Sequence, residues 1–336
     1  MLLSICIPTF ERIELLKNCL NSIYIAKKNI NFKFEVCISD NNSSQDIKKL
    51  INYYKKKFFI KYYRNKENLG MGKNIINSAM MAKGEYTWII GNDDLLFPGA
   101  LKKIFLIIKS NEEVDFFFIN SAHLKANYTL NSKKLFNTHF IPKNLPKFSN
   151  INKNYKLKFL DLINPKIAFD YLLGIYLSIF RTSKFQDNVN IINNKLINDK
   201  NIFSNFENTA PHVKVFAKSF CKSEAYLVSE PLTVNLTGAR EWHKLWDFIE
   251  IIRIPEALDE YRKNGLNFFN FHYYKNYSLK NFLPALFKIF LAGENSNFKY
   301  ILFYKHVVKN MIYPNFYLSF FYFVFRKIKK YIQIRK

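Results

Sequence analysis

Two adjacent carboxylates, Asp93 and Asp94, follow a short apolar segment in the sequence KGEYTWIIGNDDLLFP, residues 83–98. Residues 86–90 are β-branched or aromatic and too few for a helix, which predicts a buried strand. In an open α/β sheet, ligands bind outside the carboxyl ends of the strands. Because neighbouring carboxylates repel each other unless a cation neutralises them, the pair indicates a divalent-metal site that holds a phosphorylated substrate. A plain polar turn is the alternative, because Asn and Asp are common in turns.

Strands alternate with helices over the first 119 residues, which is the pattern of a doubly wound, mainly parallel sheet. Apolar or alternating runs predict strands over residues 2–7, 32–39, 59–63, 86–90 and 114–119. Four polar loops then lie at the carboxyl edge of one sheet: residues 8–11, 40–43, 65–73 and 92–94. A single site could form at that shared edge.

Local signals set the predicted boundaries of these elements. Pro8 is expected to end the first strand. Ser43, with Asp46 three residues later, has the pattern of a capping box at the start of the second helix. Gly84 is expected to cap the carboxyl end of the third helix. Residues 120–165 look irregular, which is compatible with a lid, an acceptor-binding loop or a surface insertion.

Composition bounds the function without selecting one. The chain has 336 residues, 49% of them hydrophobic, and a formal net charge of +25. Such a charge suits nucleic acid, an acidic membrane surface or a phosphorylated substrate. Heavy use of Lys, Asn, Ile, Phe and Tyr is also what AT-biased coding would produce. Four cysteines without metal-ligand spacing favour a reducing, cytoplasmic compartment.

Several familiar sites are missing from the sequence. No GxGxxG follows the first predicted strand, where Pro8 stands instead, and no GxxxxGK[ST] is present. The chain also lacks a nucleophile-elbow motif for a Ser/His/Asp site. No glycine-rich loop with Lys and Arg follows Ile7, which counts against a sugar nucleotidyltransferase. What remains is a set of carboxylates at strand ends.

The strings SICIPTFER, EVCISDNNSSQD, YYRNKENLGMGKN and AKGEYTWIIGNDDLLFPGAL resemble, in order and spacing, the inverting family 2 glycosyltransferases with the GT-A fold. Within that family they look like the abequosyltransferase-like branch, which builds bacterial surface polysaccharides. The resemblance covers residues 2–119 and implies an α/β, GT-A-like, mainly parallel sheet with a helical C-terminal region. It assigns residues 1–119 to the nucleotide-sugar half, 120–238 to the acceptor half and 239–336 to a helical region with a basic, aromatic tail.

The resemblance also assigns contacts to a nucleotide-sugar donor. The residues that would line the nucleotide pocket or border its phosphates are Pro8, Thr9, Glu11, Asp40, Asn41, Gly70, Lys73, Asn74 and Asn92. Asp40 would bind the base, and Mg²⁺ or Mn²⁺ together with Lys73 would neutralise the departing diphosphate. Asp93 is the expected metal ligand and Asp94 the second choice. Gly91 stands where the common D-x-D-D form has its first aspartate.

An inverting transfer needs a carboxylate that accepts the proton of the attacking hydroxyl. Glu207, ahead of a helix where related enzymes carry an acidic pair, is the expected base, with Asp94 as a further catalytic candidate. A carboxylate that merely favours a helix N-terminus is the alternative for Glu207. Asp170 and Glu224 are weaker candidates, and His212 could contact phosphate or acceptor.

The chain ends in ten mostly aromatic residues, 316–325, followed by a Lys/Arg cluster that extends to Arg335 and Lys336. This pattern favours an anchor on an anionic membrane leaflet, and a final core helix is the alternative. The predicted function is metal-dependent transfer of a hexose or deoxyhexose, with inversion, to a growing polysaccharide or lipid-linked glycan. The acceptor would be met at the inner face of the cell membrane, with no nucleic acid involved. The alternative is a non-enzymatic basic protein that binds membrane or nucleic acid.

Overall fold

The computed structural model describes residues 1–130, 135–238 and 241–334. Arg335 and Lys336 of the predicted basic tail lie outside the described residues. Strands within this part are β1 Leu3–Thr9, β2 Phe34–Asp40, β3 Ile60–Arg64, β4 Tyr86–Ile89, β5 Asp94–Leu96, β6 Phe116–Lys125, β7 Tyr155–Lys158, β8 Ser178–Arg181 and β9 Glu224–Thr237.

Short and long helices alternate with these strands and then fill the C-terminal third of the chain. They are α1 Ile13–Ala26, α2 Lys48–Lys55, α3 Met71–Met80, α4 Ala100–Lys109, α5 Asn127–Leu130, α6 Thr182–Gln186, α7 Asn194–Ile197, α8 Phe206–Thr209, α9 Pro211–Phe220, α10 Trp246–Phe248, α11 Ile254–Lys263, α12 Phe268–Ser278, α13 Phe282–Ala292, α14 Phe303–His306 and α15 Pro314–Ile334. Among the described residues, no helix is both long and apolar enough to cross a membrane.

All nine described strands join one mixed sheet in the order β3-β2-β1-β4-β8-β6-β9-β5, and β7 pairs with β9. β1 lies between β2 and β4 and is parallel to both. β8 runs antiparallel between β4 and β6, and β9 is parallel to β6. The α/β architecture with a helical C-terminal region, predicted from the sequence, is confirmed.

The sheet and the C-terminal helices share one apolar core. All seven residues of β2 are buried, as expected for a parallel strand covered on both faces. The core runs from Ile5 and Trp88 in the parallel strands through Phe116 to Tyr261 in α11 and Phe282 in α13. The helices after β9 are therefore packed directly onto the sheet through this core.

All three predicted boundaries are wrong, for identifiable reasons. β1 continues through Pro8. The backbone nitrogen of residue 8 is on the side of β4, and the pairing of β1 with β4 has already ended at Cys6 and Ile89. The missing N–H of proline therefore leaves no ladder bond unmade. Ser43 does not cap α2, which begins at Lys48. Its hydroxyl donates instead to Asp40, at 2.6 Å.

Gly84 does not cap α3 either, because the helix ends at Met80. A Cβ at residue 84 would lie 2.7 Å from the backbone nitrogen of Ser4, so glycine is needed where the chain crosses β1 closely. The Gly84 N–H also donates to the Ser4 hydroxyl, at 2.7 Å. A glycine predicted from helix-capping statistics is thus present for close packing.

Gly72, in the first turn of α3, lies against the backbone of α8. A Cβ there would be 2.7 Å from the carbonyl oxygen of Asn208 and 2.9 Å from its Cα. Because backbone atoms cannot rotate away as a flexible side chain can, this approach fixes the distance between α3 and the segment that follows β8.

We expect Gly72→Ala to lower the free energy of unfolding. Overpacking a tight contact costs about 1–3 kcal/mol, more than the roughly 1 kcal/mol that alanine gains over glycine in a helix. Asn77→Ala on the same helix is the matched control and should leave stability unchanged or slightly higher. Denaturant unfolding measures both, and a Gly72→Ala variant as stable as the control would contradict the close approach.

Candidate functional site

A cavity of about 590 Å³ opens at the carboxyl edge of β1 and β4. Residues predicted as site residues that line it are Pro8, Thr9, Asn41, Gly70, Asn74, Asn92 and Asp93. Those that do not line it are Glu11, Asp40, Lys73, Asp94 and Glu207. The loops after β1 and β4 and the loop before α3 therefore meet at one cavity, as their positions in the sequence suggested.

The turn from Gly91 to Asp94 is closed by the Asp94 carboxylate. One of its oxygens accepts from the Gly91 N–H at 2.7 Å, and the other accepts from the side-chain amide of Asn235 at 2.9 Å. Asn235 is the register partner of Asp94 on β9. Asp94 is fully buried. Its carboxylate thus joins the turn after β4 to β9.

Asp93 is also buried, but unlike Asp94 it lines the cavity. A Cβ on Gly91 would lie 2.5 Å from an Asp93 carboxylate oxygen and 3.0 Å from an Asp94 oxygen. A side chain at residue 91 would therefore displace both carboxylates, which accounts for glycine where the common D-x-D-D form has aspartate. Asn92, which lies between Gly91 and Asp93 in the chain, donates from its side chain to the Thr9 hydroxyl at 2.9 Å and so ties the turn to β1.

Asp40 is held by its own loop and by β3. One oxygen accepts from the backbone N–H and the hydroxyl of Ser43, at 3.0 and 2.6 Å. The other accepts from the Tyr62 hydroxyl at 2.9 Å, and burial together with this bond raises the pKa of Tyr62. The Arg64 guanidinium is 3.8 Å away. The carboxylate therefore organises the loop after β2.

Glu11 has a similar bracing position. Its carboxylate accepts from the backbone N–H of Ser44 at 2.7 Å and from the Ser44 hydroxyl at 3.0 Å. Both Glu11 and Arg12 adopt left-handed backbone conformations, with φ of 53° and 60°. This unusual pair turns the chain sharply between β1 and α1, and Arg12 lines the cavity.

Asn41 shapes the loop that leads into α3. Its side-chain oxygen accepts from the Asn65 side chain and the Leu69 N–H, at 3.1 and 2.9 Å. Its side-chain NH2 group donates to the side-chain oxygen of Asn68 at 2.7 Å. Gly70 follows in a conformation with φ of 84° that favours glycine. These contacts direct the N-terminus of α3 at the cavity, where backbone N–H groups can bind an anion.

Glu207 lies in the first turn of α8 and is buried. It pairs with Lys214, and its second carboxylate oxygen has no hydrogen-bond partner within the part of the chain that the structure describes. Its neighbour Asn208 lines the cavity, and the Asn208 amide donates to the backbone oxygens of Asp199 and Asn201. The ion pair with Lys214 holds Glu207 outside the cavity lining.

Asp170, a weaker candidate for the base from the sequence, is buried and, like Asp93, lines the cavity. It accepts from the N–H groups of Leu172 and Gly174, at 3.1 and 2.8 Å. Burial raises the pKa of Asp170 to about 6 despite these bonds. Tyr171 and Leu172 both have left-handed backbones, with φ of 52° and 69°, and such conformations in non-glycine residues are common at functional sites. A single acid within the apolar run IAFDYLLG was the available signal.

His212 lies in the first turn of α9 and also lines the cavity. Its Nε2 is 3.2 Å from the carbonyl oxygens of Leu172 and Leu173, which makes it the protonated nitrogen. Burial lowers the pKa of His212 to about 4, so the ring is neutral at pH 7. It therefore braces the turn that carries Asp170 and adds no charge.

Part of the cavity lining is aromatic. Phe148 and Phe169 stack with ring centroids 4.7 Å apart, and Trp242, Trp246 and Tyr176 also line the space. The indole of Trp88 donates to the Tyr176 carbonyl at 2.9 Å, which fixes Tyr176 to β4. The cavity lining thus combines polar groups with several aromatic rings.

No cluster of three or more His, Cys, Asp or Glu side chains suited to a metal ion occurs in residues 1–130, 135–238 and 241–334. Of the two predicted metal ligands, Asp93 lines the cavity and Asp94 does not. Mg²⁺ commonly binds through one or two carboxylates, substrate phosphates and water.

Two curated relatives are similar in sequence. Abequosyltransferase RfbV of Salmonella typhimurium is 39% identical over 116 residues, which is 34% of this chain and 34% of that protein. GalNAc(5)-diNAcBac-PP-undecaprenol beta-1,3-glucosyltransferase of Campylobacter jejuni is 28% identical over 328 residues, covering 92% of this chain and 95% of that protein. The match to the first relative spans about a third of its length, and the second aligns nearly throughout.

Solved structures share the fold at low sequence identity. S. aureus TarS 1-349 in complex with UDP superposes with a TM-score of 0.57 at 16% identity, covering 84% of this chain and 71% of that one. The same protein in complex with UDP-GlcNAc gives a TM-score of 0.56 at 18% identity, covering 86% and 73%. These likenesses show a GT-A-like fold.

The family model described as "Glycosyl transferase family 2" matches residues 4–173, which is just over half of the chain and contains the turn that carries Asp93 and the carboxylate of Asp170. The protein therefore belongs to glycosyl transferase family 2 and is a glycosyltransferase.

Proposed function

We propose that the protein transfers a sugar, with inversion, from a nucleotide-sugar donor to a lipid-linked glycan that is being built into a bacterial surface polysaccharide or oligosaccharide. The observation that carries the proposal is the single cavity that joins Asp93 and the N-terminus of α3 to an aromatic wall. Family membership decides against the non-enzymatic basic protein that the net charge alone allowed.

The part of the cavity lining at the N-terminus of α3 suits the diphosphate of a donor. Gly70 and Met71 line it at the start of α3, where unpaired backbone N–H groups and the helix dipole favour an anion. Asn41 and Asn68 line the adjoining wall and would face the nucleoside. The solved complexes of TarS with UDP and UDP-GlcNAc, which share the fold, support a donor of this class.

Asp93 fits the role of a metal-binding residue, because its carboxylate is a hard oxygen ligand in the cavity lining. One of its oxygens lies beside Gly91, where a side chain would displace it. Mg²⁺ or Mn²⁺, when bound, supplies positive charge that offsets the charge of a departing nucleoside diphosphate. Asp94 would support this role indirectly, since its own oxygens accept from Gly91 and Asn235.

The aromatic residues of the cavity lining suit an acceptor sugar, whose apolar face can pack on Phe169, Trp242 or Trp246. The Campylobacter relative, similar over nearly the whole chain, is named for an undecaprenol-linked acceptor. We therefore infer that the acceptor of this protein is a glycan on a lipid carrier and that transfer takes place at the cytoplasmic face of the membrane.

For the base we favour Asp170 over the expected Glu207. Asp170 lines the cavity and has a pKa raised to about 6, close to the value at which a general base works best near neutral pH. Glu207 is paired with Lys214 and does not line the cavity. Asp170 would take the proton of the acceptor hydroxyl as that oxygen attacks the anomeric carbon and the diphosphate departs from the opposite face.

A panel of nucleotide sugars tests the donor without knowledge of the acceptor. With Mg²⁺ or Mn²⁺ present, one donor should stabilise the protein against heat, by about 2.7 kcal/mol at a hundred times its dissociation constant. Thermal-unfolding midpoints across the panel measure this, with free monosaccharides as controls. No shift with any nucleotide sugar would contradict the proposed donor class.

Asp93→Asn should lower donor hydrolysis or transfer by about a hundredfold or more, because removing one charge-stabilising group commonly has an effect of that size. The folded structure should survive, since asparagine has nearly the same shape. Asp161→Asn, at an exposed residue away from the cavity, is the matched control for loss of one carboxylate. Initial rates and thermal-unfolding midpoints of both variants give the answer, and an Asp93→Asn enzyme with normal rates would refute the role.

The pH dependence of the rate distinguishes the two candidate bases. A base must be deprotonated to act, so kcat/KM should fall as the pH drops through about 6, the pKa of Asp170. Glu207→Gln should keep this acidic limb, whereas Asp170→Asn should lose most activity at every pH. Disappearance of the limb in Glu207→Gln, with Asp170→Asn still active, would assign the base to Glu207.

A further inference from the structure

The exposed apolar residues of this protein are concentrated in its C-terminal helices. More than half of the large apolar side chains that are exposed in the described chain lie between residues 268 and 328. On α15 they are Tyr317, Leu318, Phe320, Phe321, Tyr322, Val324, Phe325 and Ile328. A patch of this extent on a protein surface usually marks an interaction site.

α15 is fixed to the body by its first two turns and by Arg326, whose guanidinium donates to the side-chain oxygen of Asn281 at 2.7 Å. The Ser319 hydroxyl accepts from the Leu283 N–H at 3.1 Å, and the rings of Phe316 and Phe282 lie 4.8 Å apart. From Phe320 to Lys329 the helix is almost wholly exposed, with Phe321 at 66% and Phe325 at 67%. A rigidly attached helix therefore presents aromatic side chains outward on several sides.

The length and flanks of this helix suit the surface of a bilayer. Residues 316–325 span about 15 Å at the rise of an α-helix, half of the roughly 30 Å hydrocarbon core. Arg326, Lys327 and Lys329 follow directly. Aromatic residues next to cations are the composition that places a helix at the headgroup level, with rings toward the acyl chains and charges toward the phosphates.

The charge around the helix selects the occupant. Residues 295–336 contain nine Lys and Arg residues and no Asp or Glu. A second copy of the chain would place these cations against each other, which disfavours a dimer through this face. An anionic lipid surface instead offers both an apolar interior and a complementary charge.

We propose that α15 lies in the surface of an anionic membrane and holds the enzyme there, so that its cavity meets acceptors carried on lipid. The surface binding follows from the helix itself, and only its purpose rests on the proposed function.

Co-sedimentation of the purified full chain with lipid vesicles tests the proposal. Vesicles of phosphatidylcholine containing phosphatidylglycerol should bind the protein, and vesicles of phosphatidylcholine alone should bind it at least about tenfold more weakly. Added salt should weaken the binding to the anionic vesicles. Equal binding to both kinds of vesicle, or to neither, would overturn the proposal.

Two pairs of variants locate the contact. Phe321→Ser with Phe325→Ser should reduce binding to anionic vesicles by at least about tenfold, and Lys327→Gln with Lys329→Gln should reduce it by a similar factor. The matched controls are Phe59→Ser with Phe140→Ser, at side chains 59% and 72% exposed, and Lys55→Gln with Lys56→Gln beside α2. Control pairs that lose as much binding as the α15 pairs would show that α15 is not the contact.

Two further readouts separate this proposal from its rivals. Sedimentation velocity without vesicles should give a monomer for the wild type, and a dimer that Phe321→Ser with Phe325→Ser dissolves would assign the face to a second copy. Donor hydrolysis should be the same in the α15 variants and the wild type. Vesicle binding without any donor hydrolysis would support the surface and count against the proposed transfer reaction alone.

Discussion

The buried carboxylate of Asp94 is the interaction on which the candidate site depends. It accepts from the Gly91 N–H within its own turn and from the Asn235 side chain on β9. Removing either donor would take a hydrogen bond from a buried charge, at a cost of about 1–3 kcal/mol. The turn after β4 and the strand that follows α9 are therefore held in one geometry, although about 140 residues separate them in the chain.

The two adjacent aspartates have different surroundings. Asp94 accepts from Gly91 and Asn235 and does not line the cavity, whereas Asp93 does. Gly91 is part of the same arrangement, because a Cβ there would occupy the space of the Asp93 carboxylate. The sequence placed Asp93 ahead of Asp94 as a metal ligand, and of the two only Asp93 lines the cavity. The departure from the common D-x-D-D form is better understood as the condition that lets Asp93 take its present position.

Sequence reasoning reached the parallel strands and the loops that follow them, because hydrophobic period and loop polarity are local properties of the chain. It could not reach β5, whose three residues carry no periodicity and form a strand only by pairing with β9. The burial of Asp170 and the ion pair of Glu207 likewise form only in the folded chain. An acid in an apolar run and an acid ahead of a helix look alike until Lys214 is seen to pair with one of them. Ser43, which satisfied a capping pattern, instead donates to Asp40.

The same distinction between local composition and spatial arrangement applies to the net charge of +25. Biased coding would raise lysine throughout a chain and would have no reason to remove every acid from one region. After Glu294 the sequence has no Asp or Glu, and in this same region α15 exposes its aromatic side chains. Elsewhere many lysines are paired, as Lys61 is with the buried Glu35 and Lys214 with Glu207. The charge is therefore segregated, and segregated positive charge beside exposed aromatic rings is a property that a membrane surface can recognise.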